Sequence, residues 1–476
     1  MNTDYVSPLV ERVATKEMVA LWSPQRKFTT WRRCWVALAE AEHELGLPIS
    51  EAQIDEMRAH VDDIDFDKAN AYERKFRHDV MAHIHTFGEA APSAKGVIHL
   101  GATSCFVGDN TDLILIREGL QLIQAKAVNV LSRLASFAQK WKDLPTLGYT
   151  HYQPAQVVTV GKRACLWAQD LLMDIQATEE LLGRLRCRGV KGTTGTQASF
   201  LELFEGDGEK VRRLDQLVAE KLGFAASYPV TGQTYPRKVD TQVLQVLAGY
   251  GESVHKFATD MRLLANLKEV EEPFEKGQVG SSAMAYKRNP MRCERACALS
   301  RFLMTAPLHG SFTTATQWFE RTLDDSAIRR LSLPEAFLAC DGILNLCLNV
   351  MENPVVHPRV IEKHLWEELP FMATETILMD CVKRGGDRQE LHEVIRQHAM
   401  EAASRVKDEG KENDLLDRLA EDPRIPMDRN AIQATLDLRA FVGRAPEQVT
   451  EFLNHHVEPV LERHQSYLGV HSDVRV

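Results

Sequence analysis

The sequence predicts an all-α protein whose centre is an elongated helical bundle, and three observations carry that expectation. Apolar residues recur three and four apart over very long stretches, little strand-like alternation separates them, and the connections between them are short. In one stretch Leu113, Ile116, Leu120, Ile123, Ala127, Val130, Leu134 and Phe137 form a single seam, the pattern of a helix packed lengthwise against others. Helices of that length with few strands between them make a bundle.

Residues 1–103 read as a first domain of short helices. The clearest runs from Trp31 to Leu45 and stops at Gly46 and Pro48. The segment Arg77-His78-Asp79 to His83 and His85 contains neither His-Glu-x-x-His nor a cysteine partner, so no metal site is expected. It is either a helix with hydrogen-bonded histidines or the lining of a polar pocket. Residues 104–356 form the central domain. After the loop ending in Thr103 and Ser104, Asp109 to Asp112 reads as a helix N-terminus. That helix should last until Trp141, with Pro145 beyond it. A second long pattern runs from about Gln156 to Arg188, and a third carries Val239, Val243, Val246, Tyr250, Val254, Phe257, Met261 and Leu264. Thr/Gly-rich connections at Lys191 to Thr196 and Thr231 to Tyr235 separate these rods. Near Asn353-Pro354 and His357-Pro358 the punctuation changes. Residues 357–476 read as a third domain of shorter helices, including Asp387 to Ala399 and Pro446 to His464.

The chain has 476 residues, ample for a large core. Its net charge of −10 argues against nucleic acid or an anionic membrane as the main partner, because both reward basic patches. Nine cysteines without a Cys-x-x-Cys fit reduced thiols rather than a disulfide frame or a zinc site. No segment approaches the roughly 20 apolar residues of a membrane span, and the N-terminus lacks a basic region followed by an apolar run. A cytoplasmic protein is expected.

One stretch concentrates chemistry: Gly277 to Glu294, where Gly277 and Gly280 relax the backbone before Ser281 and Ser282. Asn289-Pro290 reads as an N-cap and first helical position. The free N–H groups of that helix start, with Lys287, Arg288, Arg292 and Arg295, would suit an anionic substrate. On spacing alone it is equally a glycine loop leading into a solvated, Arg-rich helix. However, Gly280 through Pro290 resembles the signature loop of the fumarase/aspartase superfamily, Gly-Ser-Ser-x-Met-Pro-x-Lys-x-Asn-Pro, departing only at Ala285. The variant Ala-Met-x-Tyr-Lys-Arg, followed by Met291-Arg292-x-Glu294-Arg295, resembles the branch that acts on succinyl-amino nucleotides, and the similarity extends over nearly the whole chain.

The resemblance implies three helical domains, with a central five-helix bundle that joins others into a twenty-helix core of a homotetramer. It implies β-elimination of fumarate from adenylosuccinate, giving AMP, and from the succinyl-aminoimidazole-carboxamide ribotide, giving the carboxamide ribotide. Neither metal nor organic cofactor is implied. In the Thr150-His151-x-Gln-Pro-Ala element His151 takes the role of general acid, suited by an unperturbed pKa near 6.5. Glu294 is its carboxylate partner, and Ser281 is the base, activated by Lys287. The sequence leaves the choice between Ser281 and Ser282 open. Arg77, His78, Asp79, Thr103, Ser104, Thr150, Gln233 and Asn289 match substrate-binding positions. Arg321, Ser326 and Arg330 match the nucleotide-binding ones, with Arg295 and Arg12. As bare sequence the Trp318 to Arg330 segment could equally be a charged helix turn. Val13 stands where the family has tyrosine, which removes a hydroxyl contact.

Two alternatives stand beside this reading. Another fumarate-releasing lyase of the superfamily, such as argininosuccinate lyase, would have no use for a phosphate-binding Arg321–Arg330 segment. A non-catalytic structural protein would not need Ser281, Lys287, His151 and Glu294 together. Lengths add one expectation. A helix from Thr111 to Trp141 spans roughly 45 Å, with Ser104 before its start and His151 after its end. Sites shared between subunits are therefore expected.

Overall fold

The structure, a computed structural model, describes residues 4–274, 277, 283–284 and 286–472. The protein is all-α, and its centre holds five long helices: Ser104–Lys140, Val160–Arg184, Lys238–Asn266, Met291–Ala315 and Asp325–Val350, here called the first to fifth rods. The third and fourth rods lie along each other, the second packs on the first and third, and the fifth packs on the first, third and fourth. At 37 residues the first rod is about 55 Å long. The predicted seam is its core face: Leu113, Ile116, Leu120, Ile123 and Ala127 are fully buried.

The first rod starts at Ser104, seven residues before the Thr111 start assumed above. Asp109, Asn110 and Thr111 are buried within it rather than at its end. Their polar groups face the other connections instead of capping their own helix. Asn110 Nδ2 donates to the Gly189 carbonyl, while its Oδ1 accepts the Gly189 N–H. Asp109 Oδ2 accepts the Tyr235 N–H at 2.8 Å.

The second rod also differs from expectation, because residues 156–159 are strand. Pro145–Thr150 pairs antiparallel with Gln153–Thr159, and Thr150 faces Gln153 across a two-residue turn made by His151 and Tyr152. Both turn residues have left-handed φ, 53° and 59°, the requirement of a type I′ turn. Neither is the Asn or Gly that usually announces one, so no residue type signals the turn locally. The hairpin is seated where Gly161 meets the end of the first rod: a Cβ there would lie 2.3 Å from the Ala138 carbonyl oxygen and 2.6 Å from Lys142 Cα. Gly161→Ala is therefore expected to cost about 2 kcal/mol or more, as overpacking does, measured as a lowered urea midpoint. A wild-type midpoint would mean the junction is looser than this geometry.

Shorter helices precede and follow the five rods in the chain. Pro24–Glu44, capped by the Ser23 hydroxyl, packs on the first rod and starts earlier than the Trp31 expected. The expected Asp387–Ala399 helix is Arg388–Glu409, capped by Asp387. The region expected as one helix from Pro446 to His464 is Ala445–Phe452 and Glu458–Arg463, joined by a wider turn at Leu453–Val457. One expectation fails on composition: the fifth rod is long and apolar enough to cross a membrane. Its apolarity serves the core instead, with 78% of its most apolar window buried in the bundle.

Candidate active site

A cavity of about 880 Å³ opens at the end of the bundle where the first and fifth rods begin. Seven of the predicted residues line it: Arg77, His78, Asp79, Ser104, Arg321, Ser326 and Arg330. Local structure explains how the first three arrive. Arg77 takes φ 55° as it ends the Phe66–Phe76 helix, which turns the chain so that His78 caps Asp79–Ala90, accepting the Met81 N–H through Nδ1. Asp79 in that first turn accepts from Arg330 Nη2 at 3.4 Å. His83 and His85, further along, are packed on aromatic rings: His83 on Phe28, His85 on Phe76.

Thr103, Gln233 and Arg321 form a chain at the same end. Arg321 Nη1 donates to Gln233 Oε1 at 2.8 Å, and Gln233 Nε2 donates to Thr103 Oγ1 at 3.4 Å. The backbone N–H of Gln233 donates to the Glu320 carbonyl, which ties the two connections together. Arg321 Nε is buried without a hydrogen-bond partner among the described residues. A buried, unsatisfied guanidinium N–H is costly, and an anionic oxygen from a ligand would satisfy it.

Beneath the cavity lies a charged network that sequence reasoning missed. Arg237 donates to Asp325 at 2.7 Å and Asp109 at 3.1 Å. Arg329 donates to Asp240 at 2.7 Å, Asp112 at 2.8 Å and the Tyr235 hydroxyl at 2.5 Å. These pairs lock the starts of the first, third and fifth rods to one another. Burial raises the Asp112 carboxyl against the pull of Arg329. Burial also disfavours ionised Asp109, but Arg237, Arg329 and Arg188 outweigh it and hold that carboxyl low. The readable signal was several charged residues on otherwise apolar seams. Lys27 was missed as well. It lines the cavity, and burial lowers its pKa, with Asp112 opposing.

The other predicted residues are elsewhere. Thr150 and His151 stand exposed at the hairpin tip, beyond the far end of the first rod. Lys287 and Glu294 are exposed, and Asn289 and Arg295 partly buried, around the start of the fourth rod, at that same far end. Among the described residues no hydrogen bond joins His151 to Glu294. Arg12 is exposed in the Leu9–Val13 turn, which packs midway along the fifth rod, where Val13 meets Gly342. Ser281 and Ser282 lie outside the described residues.

The fourth rod's start needs correction. It begins at Met291 after Pro290, and Asn289 is not its cap. Its first-turn N–H groups are not free for a ligand: Arg292 N and Cys293 N donate to the buried Glu272 carboxylate at 3.2 and 2.6 Å. The Arg292 side chain turns inward to the Pro273 carbonyl. Glu272 already complements the helix dipole there, which leaves Lys287 and Arg288 as the exposed cations of the segment.

A five-rod bundle with a cation-lined cavity at one end and the Lys287–Glu294 segment at the other is the frame of a lyase of the fumarase/aspartase kind. Residues 15–302 match the family model described as Lyase, and residues 370–452 match that of the adenylosuccinate lyase C-terminus. The fold is shared with a fumarate lyase from Mesorhizobium sp. BNC1, at TM-score 0.79 and 23% identity, covering 95% of this chain and 100% of that one. It is shared too with the 3-carboxy-cis,cis-muconate lactonizing enzyme of Pseudomonas putida, at TM-score 0.82 and 21% identity, covering 97% and 99%. In sequence the chain is 55% identical to the adenylosuccinate lyase of Saccharomyces cerevisiae, covering 98% of this chain and 97% of that protein. It is 53% identical to that of Schizosaccharomyces pombe, covering 98% and 97%, and 48% identical to that of Schistosoma mansoni, covering 99% of each. The chain belongs to the adenylosuccinate lyase family, whose members are fumarate-releasing C–N lyases.

Proposed function

We propose that this chain splits adenylosuccinate into AMP and fumarate, and the succinyl-aminoimidazole-carboxamide ribotide into its carboxamide and fumarate, in a homotetramer whose sites are shared between subunits. The observation that carries the reading is the division of the candidate residues between opposite ends of one bundle. Arg77, Arg321, Ser326 and Arg330 gather in the cavity at one end, and His151, Lys287 and Glu294 stand exposed at the other. With about 55 Å of helix between the two ends, antiparallel packing of identical bundles is what unites them. Apolar side chains exposed on the rods, Met173, Leu308 and Phe312 among them, supply a surface for that packing.

In this reading the cavity end receives the nucleotide phosphate, with Arg321, Ser326 and Arg330 as its ligands. In the shared site a base, Ser281 or Ser282, takes the proton from the carbon next to a substrate carboxylate. Charge then spreads into that carboxylate, and Lys287 is worth most in the transition state. His151 protonates the departing nitrogen so that it leaves as a neutral amine, and Glu294 keeps the imidazole basic. Each positioned proton transfer contributes ~10²–10⁴ in rate. The test is ultraviolet spectroscopy of the purified protein with adenylosuccinate. Absence of conversion to AMP and fumarate removes the reading.

Arg330→Ala is expected to weaken substrate binding by about 1.5–3 kcal/mol, the range for a lost charge-assisted contact, with kcat little changed. An equal loss with the phosphate-free nucleoside substrate would mean Arg330 does not read phosphate.

A further inference from the structure

We propose that Cys105 is a positioning residue that sets the aim of the Arg321 guanidinium, and through it the affinity for the substrate's phosphate. The inference rests on the reading that Arg321 meets that phosphate. Cys105 lies in the first turn of the first rod, one residue past Ser104, and is 5% exposed at the edge of the cavity. Its Sγ is in contact with Arg321 Nη1 and lies 3.8 Å from Gln233 Oε1. The same Nη1 also donates to Gln233 Oε1. Two acceptors from two different elements thus hold one nitrogen of the guanidinium, which fixes the plane of the fork. The remaining N–H groups are left for a ligand, including the buried Nε that has no partner among the described residues.

The scaffold behind the pair is rigid. Arg188, itself fully buried, donates through Nε to the Gln233 carbonyl at 2.7 Å and through Nη2 to the Gly192 carbonyl at 2.8 Å. A Cβ on Gly232 would lie 2.4 Å from the Glu320 carbonyl oxygen, so the connections bearing Gln233 and Arg321 are in backbone contact. Burial pushes the Cys105 thiol up to about 12. At neutral pH the sulfur therefore carries its proton, donating towards Gln233 while it accepts from Arg321. A fork held at fixed angle loses less freedom when it grips a planar or tetrahedral anion. Without the sulfur the guanidinium keeps only the Gln233 anchor on that nitrogen and can swing about it.

The test compares Cys105→Ala, Cys105→Ser and Arg321→Ala on adenylosuccinate and on the matching phosphate-free nucleoside. Cys105→Ala should raise KM for adenylosuccinate about five- to tenfold, the worth of one hydrogen bond, with kcat within about twofold. It should leave the phosphate-free substrate unaffected, and Cys105→Ser, whose hydroxyl can both donate and accept, should restore KM. If Arg321→Ala discriminates between the two substrates and Cys105→Ala does not, the positioning role is overturned while the phosphate reading stands. If Arg321→Ala affects both substrates equally, the phosphate reading fails and takes the positioning role with it.

Discussion

His151→Ala is expected to lower kcat by ~10²-fold or more with little change in thermal midpoint. The residue is exposed at the hairpin tip and makes no hydrogen bond that holds the strands together. Its backbone φ of 53° belongs to the two-residue turn, which alanine can also occupy at about the same cost. Near-normal turnover in the variant would remove His151 from the proton-transfer role. The same variant tests whether sites are shared. His151→Ala and Arg321→Ala carry their lesions at opposite ends of the bundle, so the two can be denatured together, refolded and assayed at substrate below the wild-type KM. Mixed tetramers should regain a fraction of wild-type activity through sites that draw both intact residues from different chains. Mixed tetramers that form and stay as poor as the parents would place the two residues in one subunit's site.

Arg329→Met should be the most destabilising single substitution near the site, by about 3–5 kcal/mol, because it leaves Asp240 and Asp112 without their cation. Arg329 is 8% exposed, and the Tyr235 hydroxyl loses a donor as well. The first two turns of the fifth rod, which carry Ser326 and Arg330, would lose one of their two charged ties to the first and third rods and keep only the Arg237–Asp325 pair. Urea unfolding measures the cost, and a change below about 1 kcal/mol would mean the network is not what joins the rod starts. In contrast Arg330 is largely exposed, and its replacement should act on substrate binding rather than on stability. Adjacent arginines on one helix are thus separable by whether the lesion appears in unfolding or in KM.

The sequence by itself determined the class of fold and the motifs that mark the family. A seam of apolar residues three and four apart has one stable solution, a helix laid along others. The Leu113–Phe137 seam is therefore legible without any structure, as are the cap at Asp387 and the stop at Gly46. The signature segment and the Thr150-His151 element were legible through their resemblance to motifs of the family. Other features depended on contacts far apart in the chain. Asp109 to Thr111 looks like a cap locally, yet Asp109 and Asn110 bind Gly189, Tyr235 and Arg237, more than 75 residues away, Thr111 faces Cys34, and the helix runs straight through them. Pro145–Thr159 carries β-branched and aromatic residues but no Asn or Gly at its turn, so only the register of the two strands reveals the hairpin. The open helix start after Asn289 is filled by Glu272, whose burial against Arg292 and Cys293 no local pattern announces. Helix formation is decided within a few turns of chain, whereas which polar group satisfies a buried partner is decided by whichever elements the bundle brings together. The rod lengths and packing therefore decide that one chain's candidate residues stand at opposite ends.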